Sequence, residues 1–204
     1  PVGTVSMAEH PEPGTGQWHA QRGWCGQTPW QVERLVKTPR DCAAVRYIVE
    51  HTEYAPDYFP IEQAVDWLGE DGVVLAGLPH SPMQTLMIDW IGSEGGRFYY
   101  HHADHPELVE ELYQALVRSR RPLHEIAARS PAPVVLCGDN VDGVLVTPAL
   151  FERYFAPVWA EQARCLHAHG KLMAVHMDGR LKTLRQQIAA TQVDVIEGFH
   201  PPPM

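Results

Sequence analysis

Four short apolar runs constrain the fold of this chain more than any other feature. They lie near residues 73–78, 134–138, 171–176 and 193–197, and segments with helical periodicity separate each run from the next. Continuous apolar character is typical of strands that are buried on both faces of a sheet. Strands that alternate with helices pair in parallel through right-handed crossovers. The sequence therefore predicts an α/β fold around a parallel sheet.

The third run ends in polar side chains. The stretch from Lys171 to Gly179 is an apolar strand that stops on His176, and Asp178 follows two residues later. A side-chain period of two places His176 and Asp178 on the same side if the chain stays extended through Met177. Enzymes of the α/β class carry their chemistry just beyond the carboxyl ends of parallel strands. His176 and Asp178 are therefore candidate catalytic residues, as metal ligands or as an acid–base pair.

Polar residues also follow the other apolar runs. Glu197 ends the fourth run, Asp139 and Asn140 follow the second, and His80 and Ser81 follow the first. Because parallel strands place their carboxyl ends at one edge of the sheet, we expect these residues near His176. Glu197 is a candidate ligand or general base and Asp139 a candidate catalytic carboxylate. Asn140, His80 and Ser81 are candidate substrate-binding residues.

Structural roles compete with these assignments. His176 could hydrogen-bond a neighbouring strand end, and Asp178 could cap the following helix, which is predicted from Leu181 to Ala190. Glu197 could pair with a nearby arginine, Arg180 or Arg185.

The turn after the second run has a structural alternative too. Asp139 and Asn140 suit a backbone turn, because their short polar side chains bond to nearby backbone groups. Cys137, just inside the strand end, is predicted to be a buried, inert thiol.

Two other polar clusters are predicted to be solvated. His101, His102 and His105 precede or begin a helix that starts near Pro106, and residues 97–103 are predicted as a loop or short extended piece. The arginines at 118, 120 and 121 are predicted to form a solvated helix face. Pro122 is predicted to kink or split the same helix.

Composition excludes several classes of partner. The chain has 204 residues, 45% of them hydrophobic, and a formal net charge of −9. Nucleic acids and anionic membranes need a basic surface, so neither is an expected partner. No apolar run reaches the roughly 18 residues of a membrane-spanning helix. The four cysteines are widely spaced, which predicts reduced thiols in a cytoplasmic protein.

The first 37 residues differ from the rest of the chain. Val2–Met7 and Gln31–Val36 have β-like composition, and the segment between them is rich in glycine, proline and tryptophan. We predict an N-terminal β hairpin or arm over residues 1–37 and an α/β domain over residues 38–204.

Several motifs together resemble the middle part of the uroporphyrinogen decarboxylase superfamily. This superfamily includes uroporphyrinogen decarboxylases and zinc-dependent methyltransferases that move methyl groups to and from corrinoids and thiols. The motifs, in chain order, are Val74–Pro79, Thr147–Glu152 leading to Tyr154–Pro157, His169–Lys171, His176–Gly179 and Val193–Glu197.

The resemblance implies a TIM-type (β/α)8 barrel, of which this chain holds only a part. A complete barrel takes about 250 residues, and four to five parallel strands are expected here. Either the chain is an excised segment, or material before Pro1 and after Met204 is not included. Half a barrel has unpaired strand edges and apolar helix faces, so we expect it to pair with another chain, most simply as a homo-oligomer.

The resemblance implies an enzyme, and the methyltransferase branch fits best. That branch has a His-x-Cys motif that supplies a histidine and a thiolate to zinc, and here the motif is His176-x-Asp178. It implies a zinc site with His176 and Asp178 that acts on a small methylated or corrinoid-linked substrate. Glu197, at the end of the next strand, is the candidate third ligand. The replacement of the thiolate by a carboxylate departs from the family pattern.

Two alternatives stay open at the level of sequence. One is uroporphyrinogen decarboxylation in porphyrin biosynthesis, a lyase reaction without a cofactor, in which Asp139 would stabilise a protonated pyrrole of the tetrapyrrole substrate. The decarboxylase tyrosine is absent, since Thr85 takes its place, and no arginine-rich motif occurs between Pro1 and Arg46. The other alternative is a non-catalytic barrel segment.

Overall fold

The computed structural model describes residues 3–10, 18–19, 23–24 and 30–199. At the N-terminal end, strand β1 (Ala8–His10) pairs antiparallel with β4 (Trp30–Glu33). Between them in sequence, β2 (Trp18–His19) pairs antiparallel with β3 (Gly23–Trp24). Residues 1–2, 11–17, 20–22 and 25–29 of the predicted N-terminal hairpin or arm lie outside the described residues. Its outer pair of strands lies at 8–10 and 30–33, rather than at the predicted runs Val2–Met7 and Gln31–Val36.

A four-stranded parallel sheet forms the centre of the fold. All four predicted apolar runs contribute a strand, and the predicted α/β class is confirmed. The strands pair in the order β5-β6-β7-β8 and comprise β5 (Leu75–Leu78), β6 (Val134–Cys137), β7 (Leu172–His176) and β8 (Val195–Glu197).

Helices occupy most of the remaining chain. Among the described residues they are α1 (Asp41–Glu50), α2 (Phe59–Leu68), α3 (Pro82–Gln84), α4 (Arg97–Asp104), α5 (Pro106–Ala128), α6 (Pro148–Leu150), α7 (Ala156–Ala168) and α8 (Arg185–Ala189). Two π-helical segments, Thr85–Trp90 and Phe151–Phe155, continue α3 and α6. None of these helices is long and apolar enough to cross a lipid bilayer.

The sheet buries one of its two faces more completely than the other. Val135, Met173 and Val175 are fully buried on the face that carries the helices. Leu172 and Val195 alternate with that set and stay 47% and 39% exposed. Ala174, on the same face as Leu172, is fully buried, so the prediction of strands buried on both faces is wrong only in part for the described residues. In a closed barrel, the more exposed face would be the interior.

Two predicted interruptions of helical structure are also wrong. The segment predicted as a loop at 97–103 is helix α4, because Phe98 is fully buried and anchors it. Consequently His101 and His102 lie within a helix and not before one. Pro122 neither splits nor ends α5, since buried residues on both sides, such as Leu116 and Ala127, hold the helix against the core.

Candidate functional site at the carboxyl ends of the strands

His176 and Glu197 are the two side chains that the sheet register brings together most directly. They are paired residues at the ends of β7 and β8. The imidazole Nδ1 of His176 donates a hydrogen bond to a Glu197 carboxylate oxygen. Because a carboxylate only accepts, a neutral imidazole in this position carries its proton on Nδ1 and its lone pair on Nε2.

Asp178 lies at the opposite side of the same imidazole. Its Oδ2 is 3.7 Å from His176 Nε2, and its side chain is exposed. Met177 between them is fully buried, so the alternation of the strand continues past its last paired residue. His176 therefore lies between two carboxylates, one at each ring nitrogen. We refer to His176, Asp178 and Glu197 as the strand-end triad.

The structure does not show the alternative roles considered for Asp178, as a helix cap, and for Glu197, as a partner of an arginine. Helix α8 begins at Arg185, which is too far along the chain for Asp178 to cap it. Instead, Asp142 accepts a hydrogen bond from the backbone N–H of Arg180 at 3.1 Å. Glu197 pairs with His176, and with neither Arg180 nor Arg185, in the part of the chain that the structure describes.

The triad fits a metal ion only in part. Zinc–ligand distances of about 2.0–2.3 Å at tetrahedral angles put neighbouring ligand atoms roughly 3.3–3.7 Å apart. His176 Nε2 and Asp178 Oδ2, at 3.7 Å, fall within that range. Glu197 occupies Nδ1, on the other side of the ring, where carboxylates orient metal-binding histidines rather than bind the metal. Metal binding by these residues stays a prediction, with Glu197 in an orienting position.

Asp139 belongs to a separate, buried cluster. It is fully buried, and its two carboxylate oxygens accept hydrogen bonds from the backbone N–H of Ser81 at 2.5 Å and from Trp159 Nε1 at 2.9 Å. Burial raises the pKa of Asp139 above its ordinary value. Trp159 lies on α7, so Asp139 faces the helices whereas His176 ends a row on the more exposed face. Asp139 was expected near His176, but the side chains of Asp139 and His176 lie on opposite faces of the sheet.

Asn140 follows Asp139 and has an exposed side chain. Its backbone carbonyl accepts a hydrogen bond from Gln84 Nε2 at 2.9 Å, which fixes the loop after β6 to α3. The side chain stays available at the strand-end edge. Cys137, the last residue of β6, is fully buried, and burial raises the pKa of its thiol well above the ordinary value, as expected of an inert thiol.

His80 forms a second histidine–carboxylate pair. Its Nδ1 donates to Asp89 Oδ2 at 2.8 Å, and this bond raises the pKa of His80. Its ring also lies beside Gly138, where a Cβ would come within 3.7 Å of His80 Cδ2. His80 therefore packs against the end of β6, next to the loop that carries Asn140.

Arg120 was predicted to be a solvated residue and is not. Its Nη1 donates to the carbonyl oxygen of His80 at 2.5 Å and to Thr85 Oγ1 at 2.7 Å. The flanking arginines, Arg118 and Arg121, do lie at the surface. Arg120 thus supports the loop that holds His80.

A small cavity lies behind His80 and Ser81, between the loop after β5 and helices α5 and α7. Its volume is about 30 Å³, enough for roughly two water molecules. Three buried polar atoms of its lining residues have no hydrogen-bond partner among the described residues: Ser81 Oγ, Arg120 Nε and Gln162 Nε2. The sequence analysis does not identify Arg120, Asp89 or Trp159 as neighbours of these loops. Helix periodicity alone does not show that a charged side chain turns inward or which loop residue a buried side chain contacts.

No protein-family model matches the chain, and no curated protein matches it. Among solved structures, a methyltransferase from Methanosarcina mazei has a similar fold, with a TM-score of 0.52 and 12% sequence identity. The likeness covers 94% of this chain and 52% of the methyltransferase chain. This chain therefore has the fold of about half of that methyltransferase.

Proposed function

We propose that this chain is part of a methyltransferase-like enzyme whose reaction takes place at the strand-end triad. The observation that carries the proposal is the position of His176 between Glu197 at Nδ1 and Asp178 near Nε2. Support also comes from the fold that the chain shares with part of a methyltransferase. The substrate we propose is a small methylated or corrinoid-linked compound.

Each member of the triad has a distinct role in this proposal. Glu197 holds the His176 ring and keeps its proton on Nδ1, so that Nε2 is free to bind a metal ion or accept a proton. Asp178, beside Nε2, is either a second ligand or a group that stabilises the protonated imidazole. A zinc ion, when bound, would supply Lewis acidity toward the group that accepts or loses the methyl.

The substrate would approach over the more exposed face of the sheet. His176 ends the row of side chains on that face, and the exposed Asn140 lies at the same edge. His80 packs beside Gly138 and is held by Asp89. We assign Asn140 and His80 to substrate contacts, and Ser81 to the adjoining cavity.

The decarboxylase alternative receives no support from Asp139. A carboxylate that stabilises a cationic pyrrole must present an oxygen to the substrate. Both Asp139 oxygens instead accept hydrogen bonds from Ser81 and Trp159, and the side chain is fully buried. Asp139 is better described as a residue that fixes the loop after β5 to α7.

The proposal is tested on the full-length protein that contains this chain. Metal content and methyl transfer from a corrinoid-linked donor are measured for the wild type and for His176→Ala, Asp178→Asn and Glu197→Gln. We expect His176→Ala to abolish methyl transfer, and Glu197→Gln to lower metal affinity about 10- to 100-fold.

The matched control is His167→Ala. His167 forms a hydrogen bond with Asp194 at 2.8 Å, outside the triad. His167 and Asp194 are therefore another histidine–carboxylate pair at the surface. We expect methyl transfer to be unchanged in His167→Ala. If the wild type contains no metal and His176→Ala still loses activity, the acid–base role of His176 is favoured. Methyl transfer that is unchanged in His176→Ala would refute the proposal.

A further inference from the structure

A second group of ligand-type side chains lies away from the strand-end triad, where α5 and α7 end. Glu125 is in the last turn of α5, Cys165 in the last turn of α7, and His169 just after it. Their donor atoms all lie within 4.8 Å of one another. Among the side chains that the structure describes, no other set of three histidine, cysteine, aspartate or glutamate residues converges in this way.

Two separations, from His169 and from Cys165 to the Glu125 carboxylate, are those expected of ligands around one zinc ion. His169 Nε2 lies 3.5 Å from Glu125 Oε1, and Cys165 Sγ lies 3.5 Å from Glu125 Oε2. Ligand atoms around a tetrahedral zinc ion are roughly 3.3–3.7 Å apart. Cys165 and His169 are four residues apart, which brings both side chains to one side of the helix end.

The histidine is already oriented for binding. His169 Nδ1 donates to the backbone carbonyl of Cys165 at 3.0 Å. In the neutral ring, that bond places the lone pair on Nε2, the nitrogen that faces Glu125. Metal-binding histidines characteristically donate their second ring nitrogen to a carbonyl or carboxylate in this manner.

The combined charge of the group also suits a divalent cation. A thiolate, a carboxylate and a neutral imidazole together carry two negative charges, which one divalent ion neutralises. Glu125 currently pairs with Arg129, four residues later on the same helix. Both partners are partly exposed, and such surface pairs contribute only about 0–1 kcal/mol, so the carboxylate can turn to an ion at little cost.

We propose that Glu125, Cys165 and His169 form a binding site for a zinc-class divalent cation, with water as the fourth ligand. The soft thiolate and the imidazole favour zinc over magnesium or calcium. The site is distinct from the strand-end triad and does not depend on the function proposed for it. Because the ligand is the thiolate, binding releases the Cys165 thiol proton and tightens as the pH rises.

Cobalt(II) is the probe of choice, because a cobalt-bound thiolate has a near-ultraviolet charge-transfer absorption. The chain is titrated with cobalt(II) and then with zinc(II), which should displace cobalt. We expect one thiolate-bound cobalt per chain, loss of the charge-transfer band in Cys165→Ser, and affinity at least about 100-fold weaker in His169→Ala. Glu125→Gln should retain the band with weaker binding.

Two controls separate this site from others. His167→Ala removes a histidine of the same helix turn that is not in the group, and His176→Ala removes the strand-end histidine. Both should keep the cobalt–thiolate charge-transfer band, with the same titration midpoint as the wild type. Circular dichroism of each variant verifies that it is folded. A wild-type chain without the charge-transfer band, or a folded Cys165→Ser variant that keeps it, would overturn the proposal.

Discussion

Gly198 lies against the imidazole of His176: a Cβ at Gly198 would come within 2.8 Å of His176 Cε1 and 2.9 Å of Nδ1. Gly198 directly follows Glu197, so one short segment both holds the ring through a carboxylate and leaves room for it. The backbone of Gly198 is also left-handed, with φ of +75°. A side chain at this position would therefore disturb the central residue of the proposed site.

We expect Gly198→Ala to displace the His176 ring and to lower the free energy of unfolding by about 1–3 kcal/mol. Gly170→Ala is the matched control, because Gly170 has φ of +69° and a Cβ there would meet nothing within 4 Å. Both substitutions carry the left-handed backbone cost, and only Gly198→Ala adds the contact with His176. Denaturant unfolding gives the stability, and NMR of the imidazole gives the ring position. Equal His176 spectra in the two variants would contradict the prediction.

Asp139 and Trp159 form a buried pair that a double-mutant cycle can measure. Trp159 Nε1 donates to Asp139 Oδ2 at 2.9 Å, and both residues are fully buried. Asp139→Asn and Trp159→Phe should each lower the free energy of unfolding by about 1–3 kcal/mol, since each leaves a buried polar group unpaired. Because the two changes disrupt one bond, we expect a coupling energy of about 0.5–3 kcal/mol. Strictly additive effects would show that the bond contributes nothing.

His80 predicts a pH dependence of stability. Its hydrogen bond to Asp89 raises its pKa above the ordinary value of about 6.5, against the opposing effect of burial. Asp139 also raises the pKa of His80 and Arg120 lowers it. The native state therefore holds the proton more tightly than the unfolded chain does. This stabilisation is complete below about pH 6.5 and is lost as the pH rises through the native pKa.

Asp89→Asn should lower the pKa of His80 and flatten this part of the stability curve. NMR titration of the His80 ring measures the pKa, and denaturant unfolding at about pH 6 and pH 8.5 measures the stability. Asp66→Asn serves as the control, because Asp66 is an exposed carboxylate on α2. A His80 pKa that is the same in both variants would show that Asp89 does not control it.

Much of the sheet could be predicted from the sequence because a strand has a recognisable pattern in its own few residues. The run that ends at His176 is apolar and is followed by polar residues and glycine, and the structure places a strand at Leu172–His176. Its neighbour at Val195–Glu197 was recognised in the same way. Parallel pairing then followed from the intervening helices, so the proximity of His176 and Glu197 was foreseeable.

Other features depend on which face of a strand or helix a side chain lies on, and the local sequence does not determine that face. Asp139 follows its strand by two residues, yet it faces the helices and not His176, because a shift of one residue changes the face. Arg120 turns inward to bond a carbonyl on a distant loop. Cys165 meets Glu125 only through the packing of α7 on α5, across 40 residues of sequence.

Ser81 provides the last prediction, on the cost of an unpartnered hydroxyl. Ser81 and Ser130 are each 4% exposed. Ser130 Oγ donates to the carbonyl oxygen of Ala127 at 2.8 Å, whereas Ser81 Oγ has no partner among the described residues and borders the small cavity. A buried polar group without a partner costs about 1–3 kcal/mol, so its removal should not destabilise the fold.

We therefore expect Ser81→Ala to leave the free energy of unfolding unchanged or to raise it by about 1 kcal/mol, and Ser130→Ala to lower it by about 1 kcal/mol. Both variants keep their backbone N–H, so the bond from Ser81 to Asp139 persists. Denaturant unfolding of the two variants side by side measures the difference. If Ser81→Ala is instead as destabilising as Ser130→Ala, the Ser81 hydroxyl has a partner in the cavity. If it is stabilising but weakens substrate binding in the full-length protein, the hydroxyl is retained for the substrate at a cost in stability.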